Sequence, residues 1–183
     1  MANHRKTETA AKLKKFYSTM SNAVKLAETE QGLPVIDWDW QGENQINNLN
    51  NIMKNINYTK TEVSEDLHIC VNVFYLNDGS VMCTDTIPQS VEGGGFEIHY
   101  DINGDKAPNK YGRDQFLFAI IPNNNINAVG AFPCNDIDLN SISSREEIKN
   151  ICKNNEGYSR DQCCTKLIQL DGWEIKDDYP LKI

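Results

Sequence analysis

The sequence predicts an α+β fold in which a long N-terminal helix packs on an antiparallel β-sheet and short helices close the C-terminal end. Three observations carry that expectation. Near the start, Leu13, Phe16, Tyr17, Met20, Val24 and Ala27 recur at steps of three and four, the period of a single buried helix face. From about residue 67 to about 132, runs of Val, Ile, Phe and Tyr alternate with polar turns, which favours consecutive antiparallel strands. Six cysteines without a CxxC pair, Cys70, Cys83, Cys134, Cys152, Cys163 and Cys164, predict disulfides, one of which clips the C-terminal helical segment.

At 183 residues, 39% hydrophobic and 24% charged, the chain has the length and composition of one globular domain with a real core. No repeat, low-complexity tract or Pro/Ser-rich linker divides it. The expected organisation is therefore a single domain over 1–183, with a helix over about 7–31, a sheet region over about 67–132 and a disulfide-clipped region over about 134–183.

The first helix is expected to run from Thr7 to Gln31, stopped by Gly32 and Pro34. Trp38-Asp39-Trp40 follows, either an exposed partner contact or two core anchors flanking a turn. Ile46, Leu49, Met53 and Ile56 have the spacing of a second, shorter helix, whose many Asn residues require packing to supply the stability. Leu67–Leu76 and Ser80–Ile87 flank Asn77-Asp78-Gly79, a hairpin signal. Glu92-Gly93-Gly94-Gly95 lacks the Lys-Ser/Thr of a phosphate loop and reads as a flexible connection. Phe96–Ile102 and Phe116–Ile121 are two further strands. Ser143 or Ser144, with Glu146 or Glu147 three residues on, forms a capping box for a helix ending near Cys152. More helical turns are expected over Arg160–Leu170.

The net charge of −8 divides unevenly. Residues 1–25 hold Arg5, Lys6, Lys12, Lys14, Lys15 and Lys25 against Glu8, leaving +5 there and −13 on the rest of the chain. An acidic body argues against a broad phosphate-binding surface, so no nucleic acid is expected as a partner. The basic start suits anionic lipid headgroups. Disulfides place the folded chain in an oxidising compartment, the periplasm or the cell exterior. Because no apolar run is long enough to span a bilayer, the expectation is that this sequence is the exported head of a longer chain. Fifteen pairings of six cysteines exist. Adjacent Cys163 and Cys164 are too strained to bond each other, so one is expected to join Cys152 and the other to reach a strand.

Leu13 to Ala27 resembles the exposed half of the first helix of bacterial type IV pilin-like proteins. Asp101 to Phe116, DINGDKAPNKYGRDQF, is similar to that family's D-x-N-G-x-x-x-P-N-x-x-G-x-D-x-F signature, and Gly172 to Pro180, GWEIKDDYP, resembles the close of some members. The resemblance implies a structural subunit of a type IV pilus or a type II secretion pseudopilus, anchored in the membrane through an apolar segment ahead of this helix. Its partners are then other pilin-like subunits, met through that helix, on the extracellular or periplasmic face of a bacterial cell. No catalysis and no obligatory cofactor are implied. Two alternatives stand beside it: a minor pilin or extracellular binding module for calcium, carbohydrate or DNA, and a secreted hydrolase with a dispersed site.

Asp101, Asn103, Asp105 and Asp114 offer hard oxygen donors on a tight loop, a candidate calcium site. The EF-hand pattern fails at Lys106 and Gly112, and the competing expectation is that these side chains cap backbone amides in a turn around Gly104 and Pro108. His4, His68 and His99 lie in no nucleophile motif, so no enzyme is expected. Lys12, Lys14 and Lys15 are the candidates to attract the acidic body of a neighbouring subunit.

Overall fold

The computed structural model describes residues 2–63, 72–87, 93–104, 106–122, 129–130, 144–154 and 161–183, with the backbone alone at 2, 3, 129, 130, 161 and 162. Helix α1 spans Ala2–Gln31. It begins five residues before the expected Thr7, because residues 2–6 add turns that the spacing of buried residues does not mark. Its buried face is Ala10, Leu13, Phe16, Met20, Ala23, Val24 and Ala27. Tyr17, expected on that face, sits at its edge with its ring 5.0 Å from Trp173. Gly32 ends the helix at φ +70, the left-handed conformation that glycine adopts at least cost.

A short 3₁₀ turn, Val35–Asp37, leads to Trp38 and Trp40, which are buried core anchors rather than an exposed contact. Their indole N–H groups donate to Leu33 O at 3.0 Å and Val35 O at 3.2 Å, which satisfies the one polar atom that burial would otherwise strand. Helix α2, Glu43–Met53, buries Gln45, Asn48, Leu49, Ile52 and Met53. Ile46, expected inside, is exposed. The face is rotated by Gln45, whose Nε2 donates to Ile87 O at 2.9 Å and Gly95 O at 2.7 Å and so fastens α2 to the sheet.

Six strands form one antiparallel meander in chain order: β1 Tyr58–Val63, β2 Asn72–Leu76, β3 Val81–Ile87, β4 Gly95–Asp101, β5 Gln115–Ile120 and β6 Val129–Gly130. The expected hairpin, β2 and β3, is present, and the sheet begins earlier than residue 67. Strand β1 went unmarked because all six of its residues are exposed, so no alternation of apolar and polar residues announces it. Residues 64–71, which include the start of the expected strand Leu67–Leu76, lie outside the described residues.

One sheet face meets α1. Phe74, Met82, Tyr100 and Phe116 are register partners across β2 to β5, and Phe16 stacks on Tyr100 at 3.9 Å while tilting against Phe118 at 5.0 Å. Of the expected connection Glu92-Gly93-Gly94-Gly95, Glu92 lies outside the described residues and Gly94 and Gly95 are tightly packed. A Cβ on Gly94 would lie 2.7 Å from Trp40 Cβ, and one on Gly95 would collide with the Ile120 carbonyl, so the chain here is closely packed against backbone and ring.

Helices α3, Arg145–Lys153, and α4, Asp161–Leu170, cover the far edge. Ser144 caps α3, accepting Glu147 N at 3.3 Å. Thr165 Oγ1 accepts the backbone N–H of Leu117 at 3.1 Å, which gives β5 a partner where two-residue β6 does not reach. Cys152 joins Cys164, with Cα atoms 4.9 Å apart, one of the two pairings expected for Cys152. Closing so short a loop is worth about 3 kcal/mol in the chain-entropy model. Cys83 and Cys163 are also disulfide-bonded. Cys70, Cys134 and Ser143 lie outside the described residues.

Candidate functional site

The loop from β4 to β5 carries the candidate donors. Asp101 ends β4, and its Oδ1 accepts Asn103 N at 3.0 Å while Oδ2 accepts Gln115 Nε2 at 3.2 Å. Asp114 is buried. Its two oxygens accept the backbone N–H groups of Asn109 at 3.0 Å and Lys110 at 2.6 Å, and its carbonyl accepts Ile102 N at 2.9 Å. These bonds are the capping of a tight turn. Burial, with the nearby Asp114 charge, pushes the Asp101 carboxyl above its usual range. Asn103 Oδ1 is buried without a hydrogen-bond partner. Asp105 lies outside the described residues.

The loop thus brings Asp101, Asn103 and Asp114 to one turn with both carboxylates engaged by amides. Among the described residues, no group of three His, Cys, Asp or Glu gathers for a metal ion. The oxygens of Asp101 and Asp114 that calcium would need already accept the hydrogen bonds that hold the turn. The expected outcome is that millimolar calcium leaves the melting temperature unchanged; a rise that is lost in Asp101→Asn would show that the ion binds the folded chain here, since a ligand that binds only the folded state raises stability.

The same loop is locked to the C-terminal segment, a link invisible in the sequence. Tyr179 is buried, and its hydroxyl donates to Gly112 O at 2.5 Å. Gly112, at φ +71, touches the Cys152–Cys164 bridge and Leu181. Arg145 forks between two carboxylates: Nε and one terminal nitrogen reach Asp171 at 2.6 and 2.7 Å, while both terminal nitrogens reach Asp178 at 2.8 Å. Lys176 adds a contact to Asp171 at 2.8 Å. Although burial opposes ionisation of Asp171, these cations outweigh it and hold the carboxyl below its usual range. Planar bidentate pairing of this kind gives geometric specificity as well as energy. It ties the start of α3 to the end of α4 and to the tail.

On the sheet face away from α1, His99 is buried beside Cys83 and Leu117 in register, and Tyr111 Oη lies 3.0 Å from its Nδ1. Burial pulls the imidazole down to about 4 from the ordinary 6.5. On acidification the unfolded chain therefore takes up this proton before the folded protein does. The stability that depends on neutral His99 is complete above pH 6.5 and is lost as the pH falls towards 4, by about 3 kcal/mol in all. Urea unfolding across that window should show the slope, and His99→Gln should flatten it; an unchanged slope in that variant would assign it to other groups. His4, by contrast, is exposed, 3.9 Å from Glu8, and His68 lies outside the described residues.

The lysines expected to face a neighbour divide. Lys12 donates to Ile102 O at 3.0 Å, and Lys15 pairs with Asp78 at 3.3 Å. Both are committed to their own head, which leaves exposed Lys14. Two surface grooves border α1. One, of about 410 Å³, lies between Thr19, Asn55, Asn57 and the β2–β3 turn. The other, of about 500 Å³, lies between the first turns of α1 and Trp173–Asp177.

A family model described as "Family of unknown function (DUF6613)" matches residues 1–183. No curated protein and no solved structure matches the chain.

Proposed function

We propose that this chain, which belongs to the DUF6613 family of unknown function, is the exported head of a pilin-like filament subunit of the type IV pilus or type II secretion pseudopilus class. One observation supports this above others. The three segments that resemble pilin-like proteins, far apart in sequence, form one interlocked unit: Tyr17 of α1 packs on Trp173 of the tail, and Tyr179 of the tail bonds Gly112 of the loop.

Such a unit suits a mechanical role. A 30-residue helix is a spine of about 45 Å at 1.5 Å per residue, and its apolar stripe is bolted along one sheet face. The disulfide and the Arg145 fork brace the region that follows, and bonded cysteines accord with an oxidising compartment. No helix of the described residues is long and apolar enough to cross a membrane. In this proposal an apolar extension ahead of α1 holds the subunit in the membrane and then packs against the same extension of neighbouring subunits.

Sequencing the polypeptide as it exists in cells tests the proposal. A stretch of about twenty apolar residues, the length that spans a bilayer, is expected immediately ahead of α1, with the protein in the membrane fraction before assembly. A cleaved secretory signal or another folded domain in that place would reject it.

A further inference from the structure

Charge changes sign midway through the helical part of the chain. Residues 1–25 hold six bases and one acid, whereas residues 26–53 hold Glu28, Glu30, Asp37, Asp39 and Glu43 and no base. Some of these charges are spent internally. Lys6, Lys12 and Lys15 bind the head, Glu30 pairs with Lys54 at 2.6 Å, Glu28 accepts Val35 N, and Asp39 accepts Gln41 N and Asn44 Nδ2. Among the described residues, Arg5, Lys14, Lys25, Asp37 and Glu43 are exposed and make no ion pair.

Exposed apolar side chains lie within the same stretch. Leu26, Leu33, Ile36 and Ile46 all stand in solvent there, and no other stretch of the described chain exposes so many. Aliphatic side chains interspersed with the uncompensated acids Asp37 and Glu43 make a poor free surface and a good half of an interface. The complementary half is at the other end of α1, where the groove of about 500 Å³ is walled by Ala10, Ala11 and Trp173 with Lys14 beside it. Glu174 and Asp177 also line this groove. Lys6 neutralises Asp177 at 3.1 Å, so Glu174 is the acid that opposes an acidic visitor.

We infer that the occupant of this groove is a second copy of the chain, whose Leu33–Glu43 loop seats Leu33 and Ile36 against Ala11 and Trp173 and sets Asp37 and Glu43 against Lys14 and Arg5. The two surfaces lie at opposite ends of one helix, and with the helices of neighbouring copies stacked in one direction the contact is head-to-tail and leaves a free surface of each kind at the ends of any chain of subunits. Heterologous contacts of that sort propagate into filaments when they do not close into rings. The inference deepens the filament proposal and rests on it for the direction of stacking.

The experiment uses the 183-residue chain, half of it labelled with nitrogen-15, at millimolar concentration and low salt, treated with a zero-length carbodiimide. Lys14 lies about 25 Å from the end of α1 at 1.5 Å per residue, and the isotope mixture separates a Lys14–Asp37 or Lys14–Glu43 cross-link between two copies from one within a chain. Mixed-isotope peptides carrying those cross-links are expected, falling as salt rises because exposed attraction is screened over about 8 Å at physiological ionic strength. Lys14→Glu should abolish them, and Glu174→Gln should raise their yield. Mixing Lys14→Glu chains with chains carrying Asp37→Lys and Glu43→Lys should restore a cross-link between the reversed pair. Cross-links confined to other pairs, or no restoration in the mixture, would overturn the contact. All four positions are exposed or half-buried, so the variants should stay folded. If these cross-links appear and the whole protein forms no filament, the filament proposal fails while the contact stands; if filaments form and their cross-links lie elsewhere, the contact alone fails.

Discussion

Replacing Phe16 by Ala should lower the unfolding free energy by about 3–5 kcal/mol, the cost of emptying a large aromatic site in a core. Phe16 is buried between α1 and the sheet, stacked on Tyr100 and tilted on Phe118, so its removal takes away the main rivet between the two layers. Tyr17, one residue on and at the edge of the interface, should lose only about 1–2 kcal/mol on truncation. Urea unfolding followed by circular dichroism measures both. A Phe16→Ala loss no larger than that of Tyr17→Ala would mean that α1 is not held on the sheet in the way described.

Gly112→Ala is expected to cost about 2–5 kcal/mol, by two mechanisms that add. An Ala at φ +71 sits in the left-handed region at about 1–2 kcal/mol, and its Cβ would lie 2.6 Å from Leu181 Cδ1 and 2.7 Å from Cys164 Sγ, an overpacking that costs about 1–3 kcal/mol. Gly172 separates the two. It has φ +74 with open space around its missing side chain, so Gly172→Ala should show the backbone cost of about 1–2 kcal/mol alone. Equal losses in the two variants would show that the contact of Gly112 with the disulfide and Leu181 carries no energy.

Elements that bury a regular face were legible in the sequence. The three-four spacing of Leu13, Phe16, Met20 and Val24 marked α1, the runs of β3 to β5 marked the central strands, and Ser144 with Glu147 marked the start of α3. Local signals failed where a residue's role is set by a distant partner. Gln45 looks like helix surface until β3 and β4 are placed beside it, and Ile46 then turns outward. Trp38 and Trp40 were open to two interpretations because burial of an indole depends on acceptors that the fold brings near, here Leu33 O and Val35 O. Strand β1 has no buried face to betray it.

The candidate site was half legible for the same reason. The loop that contains Asp101, Asn103 and Asp114 stood out by composition, and its capping bonds are local. Tyr179 meeting Gly112 across 67 residues, and Arg145 meeting Asp171 and Asp178, leave no trace in spacing. Lys12 and Lys15 were indistinguishable from Lys14 until Ile102 O and Asp78 appeared next to them.

Electron microscopy of appendages sheared from cells that make the whole protein, labelled with an antibody against residues 1–183, tests the central claim most directly. Filaments decorated at regular intervals along their length are the predicted result. Protein that reaches the cell surface or periplasm with its disulfides formed, yet is found only as dispersed single copies with no labelled filament under any growth condition, would contradict it.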